Sequence, residues 1–167
     1  MDFQHICVIG LGYIGLPTSS MFASKGLQVT GVDNNAHVVE SLQEGRVHIF
    51  EPGLNGVVMD GREKGTLNVS SQPVEADAFI IAVPTPFYDD KKADLSYVRS
   101  AAEAIVPVLR PGNLVVLEST SPPLTTLDVV LPILGRAGLV AGRDFLLAYS
   151  PERVLPGQIM KELVENA

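Results

Sequence analysis

The sequence predicts an α/β fold, a single domain built on a doubly wound parallel sheet with helices on both faces. Three observations predict it. First, the apolar run Ile6–Ile9 stops at Gly10, Gly12 and Gly15 follow at Gly-x-Gly-x-x-Gly spacing, and the next dozen residues carry apolar or small side chains at helical spacing. Second, further apolar runs of strand length alternate with helical patterns along the chain, which calls for parallel strands joined by right-handed crossovers. Third, hydrophobic residues make up 46% but aromatic ones only 6%, with no Trp, which is the balance of a Val/Ile/Leu/Ala sheet buried under helices. Together these describe a Rossmann-like sheet of strand order 3-2-1-4-5-6 over residues 1–157, with residues 158–167 starting a further helix.

The first strand is His5–Ile9, with His5 structural or solvent-facing at its entry, and the first helix runs about Tyr13–Ser24, closed by Gly26. Cys7 sits between Ile6 and Val8, where a buried core thiol is expected rather than a nucleophile. Leu27–Val32 is the second strand, with Asp33 at its end. Ala36, Val38, Val39 and Leu42 mark a second helix ending near Gly45, with His37 facing solvent. A turn-rich stretch then leads into a helix over Leu54–Lys64. His48 and Glu51 stand in that stretch without metal-site spacing and are read as structural, so no metal is expected.

Leu67–Val69 is a short third strand, Pro73–Asp77 a turn or one-turn helix, and Ala78–Val83 a central strand, apolar throughout. Pro84-Thr85-Pro86-Phe87 fixes an extended loop that holds one hydroxyl rigidly. A charged loop, Tyr88–Asp94, follows. Asp94 caps a helix over Leu95–Leu109, whose Leu95, Val98, Ala102, Ile105 and Leu109 share a face. Asn113–Leu117 is the fifth strand, followed by Glu118-Ser119-Thr120-Ser121-Pro122-Pro123 and a helix from Thr125-Thr126 to about Arg136. Asp144–Tyr149 is the sixth strand. It leads through Ser150–Gly157 into a helical segment, Gln158–Asn166. In this strand order the loops starting at Gly10, Asp33, Pro84, Glu118 and Ser150 open on one sheet edge, where such sheets bind ligands.

The glycine loop carries a specific chemistry. Gly10 permits the tight turn, Gly12 lets a pyrophosphate approach the backbone, and Gly15 lets the helix lie close to the strand. The helix start then offers N–H groups and a positive dipole end to phosphates. Asp33 stands 18 residues after Gly15, near the spacing of an acid that accepts hydrogen bonds from ribose hydroxyls. No Lys or Arg occurs between Lys25 and Arg46 to receive a 2′-phosphate, so NAD is favoured over NADP. A formal charge of −7 argues against a nucleic-acid partner. No apolar run reaches membrane-spanning length and the first residues lack the basic flank of a signal peptide, so a cytoplasmic enzyme domain is expected.

With the loops placed, a family resemblance follows. Gly10-Leu11-Gly12-Tyr13-Ile14-Gly15-Leu16-Pro17, Glu51-Pro52-Gly53-Leu54, Val83-Pro84-Thr85-Pro86, Glu118-Ser119-Thr120 and Ser150-Pro151-Glu152 occur in the order seen in the UDP-glucose/GDP-mannose dehydrogenase family. The chain resembles the N-terminal, NAD-binding domain of that family over nearly its whole length. The resemblance implies oxidation of the C6 alcohol of a nucleotide sugar to a carboxylate by two hydride transfers to NAD, through a thiohemiacetal on a cysteine. It implies cofactor contacts at Tyr13, Ile14, Asp33, Thr85 and Thr126, beside Gly10, Gly12 and Gly15. It implies a water-ordering threonine at Thr120, acid/base work at Glu152, and substrate contacts at Arg153 and Val154.

Val74–Asp77, Pro84–Phe87 and Pro151–Gly157 are most similar to the branch that oxidises UDP-N-acetyl-D-mannosamine, with UDP-N-acetylglucosamine and UDP-glucose as alternatives. Where UDP-glucose enzymes carry a second acid four residues after the first, this chain has Pro156, which fits an acetamido sugar better. The family's catalytic cysteine and lysine do not occur here, and mid-strand Cys7 cannot replace the cysteine. The expectation is therefore a truncated chain, inactive alone, whose full-length form dimerises through an absent central helix. Two other readings stand beside it: a non-catalytic nucleotide-binding module, and a β-hydroxyacid dehydrogenase, against which the loops at Glu118 and Pro151 argue.

Overall fold

In the computed structural model, which describes residues 3–89 and 91–165 apart from the side chain of Val164, β1 (His5–Ile9) lies at the centre of a parallel sheet. The strand order is β3-β2-β1-β4-β5-β6, with β2 (Gln28–Val32), β3 (Leu67–Ser70), β4 (Ala78–Ile81), β5 (Leu114–Ser119) and β6 (Leu146–Pro151). This is the predicted doubly wound order. Val8 pairs with Gly31 on one side and Ile80 on the other, so the strand next to the glycine loop is enclosed on both edges.

The side-chain alternation of each strand divides the core between two faces. Cys7, Ile9, Phe79, Ile81, Val115 and Leu117 pack against α4 (Ser96–Ile105) and α5 (Leu131–Leu134). Ile6, Val8, Val29, Ala78 and Ile80 pack against α1 (Gly15–Ser24) and α3 (Leu54–Glu63), with Leu42 of α2 (Ala36–Gln43) joining them. The shared face expected of α4 is present, since Val98, Ala102, Ile105 and Leu109 are buried. Burial pushes the Cys7 thiol up to about 11, so it stays protonated and behaves as a small apolar side chain.

Several boundaries differ from the sequence reading, each for a local reason. α1 starts at Gly15 rather than Tyr13, because residues 10–14 form the glycine turn and Gly12 and Ile14 supply carbonyls to its first N–H groups. Pro73–Asp77 forms no helix. The Asp77 carboxylate accepts from the N–H groups of Gln4 and His5, both at 2.8 Å, and Asn113 Nδ2 donates to the Ala76 carbonyl, which holds this stretch extended. β4 ends at Ile81, short of Pro84, which has no N–H for a ladder. The N-cap of α4 falls on Leu95 and not on Asp94, with no capping side chain; Asp94, one residue earlier, accepts from Ser96 N at 2.9 Å. Pro107 ends α4 in a 3-10 turn.

The helix expected after Thr125 begins as a π turn over Thr126–Val130. There Leu131 N donates to the Thr126 carbonyl five residues back, just ahead of Pro132, which cannot donate to the ladder. β6 starts at Leu146, because Asp144 is held in a turn by Val140 N and by Arg143. α6 (Ile159–Glu165) forms where a last helix is expected. Its expected end at Asn166 lies outside the described residues.

Candidate cofactor and substrate cleft

The glycine turn is dictated by what surrounds it. Gly10 has φ of +96°, and a Cβ there would lie 2.6 Å from the Ala82 carbonyl oxygen. A Cβ on Gly15 would lie 1.8 Å from the Gly10 carbonyl oxygen, so no side chain fits between α1 and the turn. A Cβ on Gly12 would meet nothing within 4 Å, because that position faces open space. Two glycines are thus filled in by protein, and the one expected to face a pyrophosphate is left clear. That is the test a dinucleotide site has to pass.

Gly12 and the Val83-Pro84 corner divide a cleft at the C-terminal edge of the sheet into two cavities. One, of about 580 Å³, lies beside Gly10 and Asp33 and is walled by Asn35, Val38, Tyr97 and Ala101. The other, of about 510 Å³, is walled by Tyr13, Ile14, Thr85, Glu118, Thr120 and Glu152. A smaller hollow of about 160 Å³ continues from the second past Glu118 and Glu152 to Arg153, Val154 and Glu162.

Asp33 anchors the first half. Its Oδ2 accepts from Leu11 N and its Oδ1 from Asn35 N, both at 2.9 Å. Leu11 is fully buried over Gly31, where a Cβ would come within 2.6 Å of it. Asp33 therefore ties the glycine turn to the end of β2 and starts the approach to α2. A carboxylate has about four lone-pair sites, so about two remain open.

The second half collects the loops that are far apart in sequence. Thr85 Oγ1 and Thr120 Oγ1 lie 3.3 Å apart, which brings the proline loop after β4 and the loop after β5 together. Tyr149 donates from its hydroxyl to the Ser119 carbonyl at 2.9 Å and supports the second loop from β6. Glu152 accepts from Val154 N at 2.6 Å, which turns its carboxylate back over its own loop. Arg153 and Val154 line the small hollow beside it. Thr126, expected among the cofactor contacts, starts the π turn and lines none of these three cavities.

Two acids have partners that the sequence reading could not name. Burial pushes the Glu118 carboxyl above its usual range, Thr18 Oγ1 opposes this by donating to it at 3.3 Å, and the neighbouring Glu152 adds to it. Glu118 was visible as part of a motif, but only the fold puts it across from residue 152. Glu51 is buried and accepts from Gly157 N at 2.7 Å and from Ile159 N at 2.8 Å. Its partners lie more than a hundred residues away, and no local pattern announces them.

The profile described as "UDP-glucose/GDP-mannose dehydrogenase family, NAD binding domain" matches residues 4–167. The chain belongs to this family. NAD is therefore the cofactor of this domain. Among relatives, the UDP-N-acetyl-D-mannosamine dehydrogenase of Escherichia coli is 52% identical over 99% of this chain and 41% of its own length. An NDP-N-acetyl-D-galactosaminuronic acid dehydrogenase of Ralstonia nicotianae is 49% identical with the same coverage. The solved UDP-N-acetyl-mannosamine dehydrogenase of Staphylococcus aureus superposes with a TM-score of 0.92 at 48% identity, over 96% of this chain and 39% of that one. This member of the dehydrogenase family thus spans about two-fifths of the length of the relatives it matches.

Proposed function

We propose that this chain is the cofactor-binding part of a nucleotide-sugar 6-dehydrogenase, acting on UDP-N-acetyl-D-mannosamine to give the corresponding uronate. One observation carries the reading: the loop bearing Glu152, Arg153 and Val154 borders the same cleft as Gly12, Thr85 and Thr120. The names and roughly half-identical sequences of the relatives support the choice of an acetamido sugar. On this reading residues 1–157 form the cofactor domain, and residues 158–167 lead toward the part of the relatives that this chain does not match. The longer protein pairs as a homodimer and works in the cytoplasm. Among the described residues no helix is long and apolar enough to cross a membrane.

Bound NAD supplies the hydride acceptor for both oxidation steps. Asp33 takes the hydroxyls of the adenosine ribose, and Gly12 with the start of α1 takes the pyrophosphate. Thr85 and Thr120 offer a paired hydroxyl donor set in the half beyond Gly12 and hold a water there. Glu152 accepts the proton of the sugar alcohol, directly or through that water, and Arg153 presents its planar donors to an anionic or carbonyl oxygen of the substrate. The covalent thiol step belongs to a residue outside this chain, since Cys7 is buried mid-strand.

Calorimetric titration with NAD and NADP tests the first part. NAD binds, NADP binds at least tenfold more weakly, and Asp33→Ala weakens NAD by about tenfold, the loss of one or two hydrogen bonds to a charged acceptor. Equal binding of both cofactors would sink the role of Asp33. A chimera of this chain with the remainder of the Escherichia coli relative then tests the substrate, by NADH formation with UDP-N-acetylmannosamine against UDP-N-acetylglucosamine and UDP-glucose.

A further inference from the structure

Glu118 is the least explained group in the cleft. It lies near the end of β5, two residues before Thr120, and lines the same cavity as that residue. Glu118 lines both the cavity shared by Thr85 and Thr120 and the smaller hollow beyond it. The groups that face it are few. Thr18 of α1 donates to Oε2 at 3.3 Å, a long contact. Glu152 comes from the loop after β6, and Arg153 and Glu162 line the smaller hollow from that loop and from α6. Among the described residues no cation forms an ion pair with Glu118 or Glu152. Two acids therefore line one half of the cleft, and among the described residues no cation is bonded to either.

The cofactor has a positive charge to offer there in only one of its two states. The nicotinamide ring is cationic in the oxidised form and neutral in the reduced form. The pyrophosphate and both riboses are common to the two. Because Asp33 marks the adenosine half, the ring falls in the half that holds Glu118. We infer that Glu118 is a specificity-determining residue for the redox state of the cofactor, favouring NAD over NADH by placing a carboxylate against the ring. This rests on the NAD-binding reading of the cleft. Repulsion between Glu118 and the pyrophosphate weakens both forms equally and drops out of the ratio. In a two-step oxidation each NADH has to leave before the next NAD binds, so a site that relaxes its hold after hydride transfer favours exchange of the spent cofactor.

The charge on Glu118 is conditional. Burial raises its proton affinity, Glu152 raises it further, and a bound cationic ring opposes both. The preference for NAD should then be full where Glu118 is ionised and fade as pH falls through its titration. Binding of NAD, but not of NADH, should release protons in that range.

The test is binding alone, on this chain, without turnover. Affinities for NAD and NADH are measured for the parent and for Glu118→Gln between about pH 4 and 8, a span that begins below the ordinary glutamate value. Gln keeps the size of Glu and a carbonyl that still accepts from Thr18. The expected result is an NAD/NADH affinity ratio about tenfold lower in the variant at pH 8, the scale of one partly screened charge pair. NADH binding should tighten only by the pyrophosphate repulsion that both forms lose. The parent's ratio should fall toward the variant's on acidification. An unchanged ratio in Glu118→Gln, or a parent ratio flat with pH, overturns the assignment. A parent chain that binds neither form overturns the NAD-binding reading along with it. The pH series on the parent keeps the test decisive even if the variant fails to fold.

Discussion

The two halves of the cleft are built differently. In the Asp33 half the protein satisfies itself: both carboxylate oxygens already hold backbone N–H groups, and Gly10 and Gly15 are closed by neighbouring backbone. In the other half the polar groups lean on one another: two threonine hydroxyls meet at 3.3 Å, and Glu118 has one long donor and a like-charged neighbour. A ligand fragment common to many reactions can be met by a rigid, finished surface. A half that changes charge during a reaction needs groups whose partners arrive with the ligand.

The sharpest way to break this contrast lies within the glycine turn. Gly15→Ala puts a methyl 1.8 Å from a backbone oxygen that cannot move without opening the turn. It should cost about 3 kcal/mol or more of stability, the upper end of overpacking penalties, and abolish NAD binding. Gly12→Ala adds its methyl to open space. It should leave stability within about 0.5 kcal/mol and still weaken NAD by at least tenfold, because the methyl stands where the phosphate approaches. Urea denaturation and NAD titration of the two variants separate fold from site. Equal effects on both quantities in both variants would mean the finished half is not finished by the glycines.

Glu51 sharpens the other side. Its buried carboxylate is the tie that seats the end of the Glu152 loop and the start of α6 against the segment before α3. Glu51→Ala leaves two N–H donors without an acceptor. It should lower local stability by about 2 kcal/mol, a roughly thirtyfold loss of amide-exchange protection at Gly157 and Ile159. β1 and β4 should keep their protection, and Asp33-side NAD contacts should persist. If exchange rises throughout the sheet instead, the loop is an integral part of the core and not an attached half.

How much of this was legible follows the same division. Gly10, Gly12, Gly15 and Asp33 could be assigned from spacing because their roles are local: a turn, an approach and a strand end within 24 residues. The strand order could be read because the alternation of apolar runs and helical patterns leaves little choice of topology. The one-turn helix allowed for Pro73–Asp77 is absent because a side chain ties the stretch to distant backbone, as Asp77 does to Gln4 and His5. The helical run after Thr125 starts where expected, but as a π turn, because Pro132 in the first turn of α5 cannot donate to the ladder. Glu51 was read as structural but without its partners, and Glu118 only as part of a motif. Their partners lie on other loops, and one-dimensional spacing does not encode that distance.

The smallest expected effect is also the most direct reading of the contrast, because it asks two carboxyls to respond to pH in opposite senses. Asp77, outside the cleft, is held below the usual carboxylate range by the N–H groups of His5 and Gln4. A depressed acid stabilises the fold above its unfolded pKa, and that contribution is lost as pH falls through the folded value. Glu118 is held above the usual range, chiefly by burial. A raised acid weakens the fold once it ionises, and the weakening is relieved as pH falls through the folded value toward the ordinary glutamate range. Asp77→Asn should therefore lower the melting temperature at neutral pH, with the deficit shrinking in acid. Glu118→Gln should raise it at neutral pH, with the gain shrinking as the parent's own Glu118 takes up its proton. Melting curves of the two variants from pH 3 to 8 check both signs at once. A Glu118→Gln variant less stable than its parent at pH 8 would mean that the carboxylate is held by donors the cleft provides. The second half would then be as finished as the first.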